Sequence, residues 1–222
     1  MCIKKELIEA INDADRRLAS DHIALWVERH PGENLMKDVV LPVMDELSKI
    51  YSNQNRRQSV AQGYVMAKVA GDAMERVLLH QDIVLDKGPV ILGNIEDDFH
   101  SLGRIIVKTF LIMEGWEIID LGNDVTAEEF VDKAEEVNAP LIAASAMMQT
   151  TAKNIIKIRE ELKNRMLEGK IKLAVGGAVF NAIPELVSHV GGDGTCNSGI
   201  EVAGLCEQLV MEMKSEVKCY GN

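Results

Sequence analysis

The chain has 222 residues, enough for one large domain or two small ones, and 47% of them are hydrophobic, so a sizeable core is expected. The net charge of −11 at pH 7 argues against a nucleic-acid-binding surface and is consistent with a soluble cytoplasmic protein. The 4 cysteines are scattered without a Cys-x-x-Cys pair, which argues against a disulfide framework and a thiolate metal site. Because no apolar run approaches about 18 residues, neither a membrane span nor a signal peptide is expected.

Residues 1–84 are predicted to form a four-helix bundle. Apolar residues recur at helical spacing in four segments that are joined by short polar turns. Ser20-Asp21 is expected to cap the second helix and Pro31-Gly32 to end it, and residues 52–57 are expected to form a turn. The four helices are placed at residues 4–19, 22–29, 34–51 and 59–80.

Residues 85–222 follow a different pattern, in which short apolar strands alternate with amphipathic helices. Five strands and five helices in strict alternation predict an α/β domain with a parallel sheet that is covered on both faces. The strands are expected at residues 89–94, 116–121, 140–145, 171–176 and 192–196. The helices are expected at residues 103–114, 126–137, 152–167, 181–189 and 199–214.

The loop after the first strand carries Asp98, His100 and Gly103 in an Asp-x-His-x-x-Gly pattern. Loops at the carboxyl ends of parallel strands are where ligands bind. A carboxylate two residues before an imidazole can accept the proton of one ring nitrogen and leave the other nitrogen for a metal. A solvated acidic loop with an incidental histidine is the alternative, and the position of the pattern at the mouth of the sheet favours a site.

Other strand ends carry small or polar residues that suit the same crevice. Ser145 ends the third strand, and its hydroxyl is expected in the crevice, whereas Thr150 and Thr151 are better placed to cap the following helix. Gly176 and Gly177 end the fourth strand, where the absence of side chains lets a ring or phosphate approach, although a tight turn would also use them. Asp193-Gly194 at the fifth strand is a weaker signal.

Several known site patterns are absent from the sequence. There is no Gly-x-Gly-x-x-Gly fingerprint, Walker loop, Gly-x-Ser-x-Gly elbow or His-Glu-x-x-His pair. A site of two loop residues without a third protein ligand does not resemble a zinc centre. A metal here would therefore be expected inside a macrocycle that supplies its own equatorial ligands.

The ordered set of Asp98-x-His100-x-x-Gly103, Ser145 and Gly176-Gly177 resembles the corrinoid (cobalamin-binding) proteins of methyltransferase systems. The segments LGNDV at 121–125, LPVMDELSKIY at 41–51 and SVAQG at 59–63 are also similar to that family. The resemblance covers essentially the whole chain and implies a helical cap followed by a Rossmann-like (flavodoxin-like) cobalamin domain. The chain departs from the common family pattern at Asp97, Ser101, Arg104-Ile105, Gln149, Ser48 and Gln62.

The resemblance implies that His100 is the lower axial ligand of cobalt and that Asp98 binds the other nitrogen of its ring. Ser145 would contact this relay or the nucleotide tail, which would enter the crevice beside Gly176 and Gly177, while the bundle covers the upper face of the corrin. The implied corrinoid contacts are Asp98, His100, Ser101, Leu102, Gly103, Ser145, Met147, Gly176, Gly177, Asp193 and Gly194.

The resemblance further implies a methyl carrier that works with partner proteins and does not turn over alone. A donor-specific methyltransferase, as in an O-demethylase system, would deliver a methyl group to the cobalt of the bound cobalamin. A second methyltransferase would pass it to tetrahydrofolate, coenzyme M or another acceptor, and a reductive activator would restore the reduced cobalt. Neither a nucleic acid nor a membrane is expected as a partner.

Three other functions remain open from the sequence. A cobalamin-sensing regulator would carry a DNA-binding module, for which no residues remain before Lys4, and an upper-face Trp and Glu-His pair that are not found here. The cobalamin subunit of a radical mutase would normally lack residues 1–80. A flavodoxin-like domain that binds no corrinoid is the third, and a visible spectrum with cobalamin would separate it from the others.

Overall fold

The structure is a computed structural model of the chain. The chain divides into two compact units, Met1–Asp82 and Ile83–Asn222. The boundary predicted between residues 84 and 85 lies two residues beyond this division, and the separate roles assigned to the two parts stay a prediction. The structure describes residues 3–31, 33, 35–40, 42–44, 46–47, 60–80, 84–197 and 199–220.

The first unit begins with two helices where one longer helix was predicted. Helix α1 spans Ile3–Asn12 and helix α2 spans Arg16–Arg29, so the helix expected over residues 4–19 is interrupted. Ala14 adopts a φ of 56°, in the left-handed region, and the Asp15 carboxylate accepts a hydrogen bond from the Leu18 N–H at 2.9 Å. The prediction was wrong here because Asp15, and not Ser20-Asp21, caps the second helix.

The rest of this unit is described only in part. A π-helical turn spans Met36–Val40, residues 42–44 and 46–47 are helical, and helix α3 spans Val60–His80. The other residues of the helix predicted at 34–51, the predicted turn at 52–57 and Ser59 lie outside the described residues. The four-helix bundle is therefore not confirmed. Among the described residues, no helix is long and apolar enough to cross a membrane.

The second unit is an α/β fold around a parallel sheet. The strands are β1 Lys87–Ile95, β2 Trp116–Val125, β3 Leu141–Ser145 and β4 Lys172–Gly176. The helices are α4 Ser101–Met113, α5 Ala127–Glu136, α6 Gln149–Ala152, α7 Ile156–Asn164, α8 Ala178–Ala182, α9 Leu186–His189 and α10 Val202–Tyr220, with 3-10 turns at Lys153–Ile155 and Gly199–Glu201. The strand order is β2-β1-β3-β4. Helices α4 and α10 pack on each other, as do α5 and α7, so helices form two layers on the sheet.

The fifth strand predicted at residues 192–196 is wrong for the described residues, which hold four strands. A single parallel bridge joins Ala174 to Gly194 at this place. The Asp193 carboxylate accepts from the Leu173 N–H at 2.6 Å, so a side chain occupies the donor that a fifth strand would need for its backbone carbonyl. This side-chain bond interrupts backbone pairing on the amino-terminal side of the bridge.

The core places the strand ends side by side. Strands β1 and β3 are buried almost throughout, and Phe130 and Ile142 are fully buried in the layer that α5 and α7 cover. The register pairs Asn94 with Ser145 and Ser145 with Gly176, so the carboxyl ends of β1, β3 and β4 align in one row. This row lies where a parallel sheet binds ligands.

Candidate functional site

The loop after β1, residues 96–100, is called the Asp–His loop. Asp98 is completely buried, and its Oδ1 accepts from the backbone N–H of His100 at 2.9 Å. The same oxygen lies 3.1 Å from Nδ1 of the His100 ring. The Asp97 N–H donates to the Asp124 carboxylate at 2.8 Å, which ties the loop to the end of β2. The contact between Asp98 and His100 that the sequence predicted is present, while the metal-binding role of His100 stays a prediction.

Three further groups stabilise the charge of Asp98. Its Oδ2 accepts from the Met147 N–H at 2.6 Å and from the Thr151 hydroxyl at 3.1 Å, and its Oδ1 accepts from the Asn94 amide at 3.2 Å. Burial is the largest single influence and acts to raise the pKa of Asp98. The hydrogen bonds from Met147, His100, Asn94 and Thr151 together outweigh it, so the pKa lies below its ordinary value and Asp98 is an anion at neutral pH.

The imidazole of His100 points its second nitrogen away from Asp98. The His100 side chain is 51% exposed, in contrast to the buried carboxylate beside it. Since an ionised carboxylate only accepts hydrogen bonds, this contact places a proton on Nδ1, and in the neutral ring Nε2 then presents a lone pair. This is the arrangement in which a histidine binds a metal through Nε2 with an oriented ring. In the part of the chain that the structure describes, no three His, Cys, Asp or Glu side chains group as a metal site.

A cavity of about 290 Å³ lies beside the strand ends and is called the strand-end cavity. Its floor is the row of small residues at the ends of β3 and β4, and α4 and α10 form its sides. Apart from the adjoining backbone, no atom lies within 4 Å of the place where a Cβ at Gly103 or Gly176 would be, so a side chain there would begin in open space. The lining includes Gly103, Ile106, Val107, Ala143, Ala144, Ser145, Val175, Gly176, Gly177, Asn181, Cys196, Val202 and Leu205.

Gly177 has a separate role in the turn that follows β4. Its φ is 116°, and a Cβ there would lie 1.9 Å from the carbonyl oxygen of Ala146. This position requires glycine for the turn itself. Gly176 therefore leaves room in the cavity, while Gly177 permits the close approach of two chain segments.

Some of the predicted site residues lie at the Asp–His loop or the cavity, and others do not. Ser101 and Leu102 lie in the first turn of α4, and the Met147 backbone binds Asp98, while Met147 as a whole is 46% exposed. The Asp193 carboxylate binds Arg159 at 2.7 Å and the Leu173 N–H. Neither Asp193 nor Gly194 is among the residues that line the cavity, and their corrinoid contacts stay a prediction.

Three residues at the site were not predicted from the sequence. Thr151 was expected to cap a helix, but Met148 is the residue before α6, and the Thr151 hydroxyl instead contacts Asp98. Asn94 and Arg104 are buried and hydrogen-bond each other at 2.8 Å. An arginine between apolar residues of a buried helix was the available signal for this pair.

Known proteins match the chain in both sequence and structure. Residues 88–199 match the family described as the B12 binding domain. Trimethylamine corrinoid protein 2 of Methanosarcina acetivorans is 46% identical over 91 residues, 41% of this chain, and the chain spans only 42% of the length of that relative. The dimethylamine corrinoid protein of Methanosarcina barkeri is 30% identical over 212 residues, 93% of this chain and 99% of that protein. The solved structure of the Methanosarcina barkeri monomethylamine corrinoid protein covers 93% of this chain and 98% of its own, with a TM-score of 0.73 at 21% identity.

Proposed function

Because the chain belongs to the family of corrinoid proteins that carry a B12-binding domain, we propose that it is the methyl-carrying protein of a methylamine methyltransferase system. Membership of this family means that the chain binds a corrinoid. The observation that carries the proposal is an exposed imidazole, oriented by a buried anion, beside an apolar cavity at the sheet edge.

The residues at the sheet edge fit a corrinoid. A corrin supplies the equatorial ligands of its metal and needs from the protein a single axial donor, which Nε2 of His100 can provide. A corrinoid with a nucleotide tail also needs a slot for a flat base. Gly103 and Gly176 leave such a slot open, because a side chain at either position would project into the strand-end cavity.

The corrinoid supplies a cobalt centre that accepts and releases a methyl group. In our proposal Nε2 of His100 would hold this metal, and Asp98 would fix the tautomer and direction of the ring. The anionic Asp98 would keep the proton of the ring on Nδ1, so that Nε2 is the nitrogen that would face the cofactor. We assign the hydroxyl of this relay to Thr151 rather than Ser145, because Thr151 is the residue whose hydroxyl donates to Asp98. Ser145 would face the nucleotide tail, since it lines the cavity.

The methyl donor and the partners belong to the same proposal. The similar proteins are named for trimethylamine and dimethylamine, which favours a methylamine as donor over the O-demethylase system that the sequence left open. A donor-specific methyltransferase would load the methyl group, and an acceptor methyltransferase would remove it. A reductive activator would return oxidised, inactive cobalt to its reduced state. The chain would act as the corrinoid-carrying subunit and would not turn over alone.

The test is a methyl-transfer assay with reconstituted protein. Apoprotein is mixed with hydroxocobalamin, freed from excess cofactor, reduced, and incubated with separate methylamine, dimethylamine and trimethylamine methyltransferases and their amines. We expect a visible spectrum of bound corrinoid and methylation by one of these pairs, with methanol and methyl ether systems as controls. Bound cobalamin that accepts methyl from none of the systems would contradict the carrier function and favour the sensing or mutase alternatives.

A further inference from the structure

A buried arginine, Arg104, contacts the Asn94 amide that hydrogen-bonds to the Asp–His loop. The side chain of Arg104, in the first turn of α4, is 9% exposed. Its Nε donates to Oδ1 of Asn94 at 2.8 Å, its Nη1 donates to Asp120 on β2, and its Nη2 lies 3.3 Å from Oδ1 of Asn123. Because a buried guanidinium is costly unless its donors are paired, these three oxygens define one position for it.

Arg104 also decides which way the amide of Asn94 faces. Asn94 is completely buried on β1. Its Nδ2 donates to Asp98 Oδ1 at 3.2 Å and to the carbonyl oxygen of His100 at 3.1 Å. If the amide turned over, its oxygen would face two acceptors and its NH₂ would face the N–H donors of Arg104. The guanidinium therefore holds the Asn94 amide with its donor end toward the Asp–His loop.

We propose that Arg104, acting through Asn94, is a positioning residue that orients His100 toward the corrinoid metal. The proposal rests on the proposed function, because it assigns the direction of the axial imidazole. Asn94 holds the loop at two points, the Asp98 carboxylate and the His100 backbone carbonyl, and Arg104 keeps both bonds formed. Asp120 balances the buried charge of Arg104, so the guanidinium keeps its position without an ion pair to Asp98.

The helix α4 offers a matched control for this role. Lys108 lies one turn after Arg104, and its Nζ contacts the other oxygen of Asp120 at 3.1 Å. Its contacts with Asp120 resemble those of Arg104, but the structure records no bond between Lys108 and Asn94 among the described side chains. Lys108→Met therefore removes a cation from Asp120 and leaves the Asn94 amide held.

The experiment uses cobinamide, a corrinoid without a nucleotide tail, so that an axial nitrogen can come only from the protein. Wild type, Arg104→Met, Arg104→Lys and Lys108→Met are compared at one pH for cobinamide affinity and for the nitrogen splitting in the EPR spectrum of bound cobalt(II). We expect both Arg104 variants to lose about tenfold in affinity, the usual scale for removing an outer partner of a metal ligand, and to show weaker nitrogen splitting.

The two Arg104 variants differ in whether they keep the buried cation that pairs with Asp120. Arg104→Lys keeps a cation for Asp120 but lacks the separate Nε and Nη donors that bind Asn94 and Asp120 together, so it tests orientation even if Arg104→Met does not fold. Lys108→Met is expected to keep the wild-type affinity and splitting. Wild-type affinity and splitting in Arg104→Lys, or an equal loss in Lys108→Met, would overturn this inference. Absence of a protein nitrogen on cobalt in the wild type would instead overturn the axial role in the proposed function.

Discussion

The Asp–His loop and the strand-end cavity lie at the same sheet edge and are built in opposite ways. In the loop, Asp98 receives five hydrogen bonds, and a buried amide holds the backbone beside it. The cavity is formed by missing side chains at Gly103 and Gly176 and by apolar neighbours. In the proposed function, the polar contacts of the loop would fix the direction of one ligand atom, whereas the open space of the cavity would accept a flat group without orienting it.

The stability of the Asp–His loop should depend on the buried Asp98 carboxylate far more than on the exposed His100 imidazole. Asp98→Ala leaves several buried donors unpaired and should lower the free energy of unfolding of the apoprotein by about 3 to 5 kcal/mol. His100→Ala should lower it by no more than about 1 kcal/mol, because its ring is half exposed. Urea unfolding in a Trp26→Phe background, where Trp116 alone reports on the second unit, measures both. Equal losses in the two variants would contradict the division of roles.

Binding of the nucleotide tail in the strand-end cavity should depend on the absence of a side chain at Gly176. Gly176→Leu should fill the place proposed for the nucleotide tail and weaken cobalamin binding about 10- to 100-fold, the equivalent of about 1 to 3 kcal/mol of overpacking. Cobinamide, which has no tail, should bind this variant as it binds the wild type. Gly204→Leu is the matched control, because its Cβ also meets open space but Gly204 is not part of the lining. Titration by visible absorbance gives the affinities, and a parallel loss of cobinamide binding would contradict a tail slot.

The two hydroxyls near the site should separate the loop from the cavity. Thr151→Val removes a donor to Asp98 and should cost the apoprotein about 1 kcal/mol of unfolding free energy. Ser145→Ala should leave that free energy unchanged within about 0.5 kcal/mol, because Ser145 lines the cavity. The same urea assay compares them. The reverse order would return the relay role to Ser145.

The smallest effect concerns two thiols at different depths. Burial raises the pKa of the Cys206 thiol to about 12, whereas Cys196 is half-buried and lines the cavity. In a Cys2→Ser, Cys219→Ser background at pH 8, iodoacetamide should modify Cys196 and leave Cys206 intact, as read by peptide mass spectrometry. Bound cobalamin should slow the reaction at Cys196. Unchanged labelling in the presence of cobalamin would place the tail elsewhere.

Local sequence predicted the parts of the site whose partners are close in the chain. Asp98 and His100 are two residues apart, and Ser145 and Gly176 could be placed because parallel strands end at one edge. Thr151 lies 53 residues from Asp98, and Arg104 lies 10 residues from Asn94 and 16 from Asp120, so these contacts depend on the packing of the sheet and were not predicted.

The errors in the predicted fold have local causes of another kind. The interruption between α1 and α2 depends on Asp15 as a cap, and the fifth strand depends on which group binds the Leu173 N–H. In both places an aspartate side chain replaces a backbone partner, a competition that hydrophobic periodicity does not detect. The alternation of strands and helices was predictable because it is set by that periodicity.

The most direct test of the proposed role of His100 is to identify the nitrogen that binds cobalt. Protein labelled with [15N]histidine is reconstituted with unlabelled cobalamin, reduced to cobalt(II) and measured by EPR beside unlabelled protein and a His100→Gly variant. We predict that the nitrogen splitting changes from a triplet to a doublet on labelling and that His100→Gly loses the protein-derived signal. A triplet that persists in the labelled wild type would show that the base of the cofactor, and not His100, binds the metal.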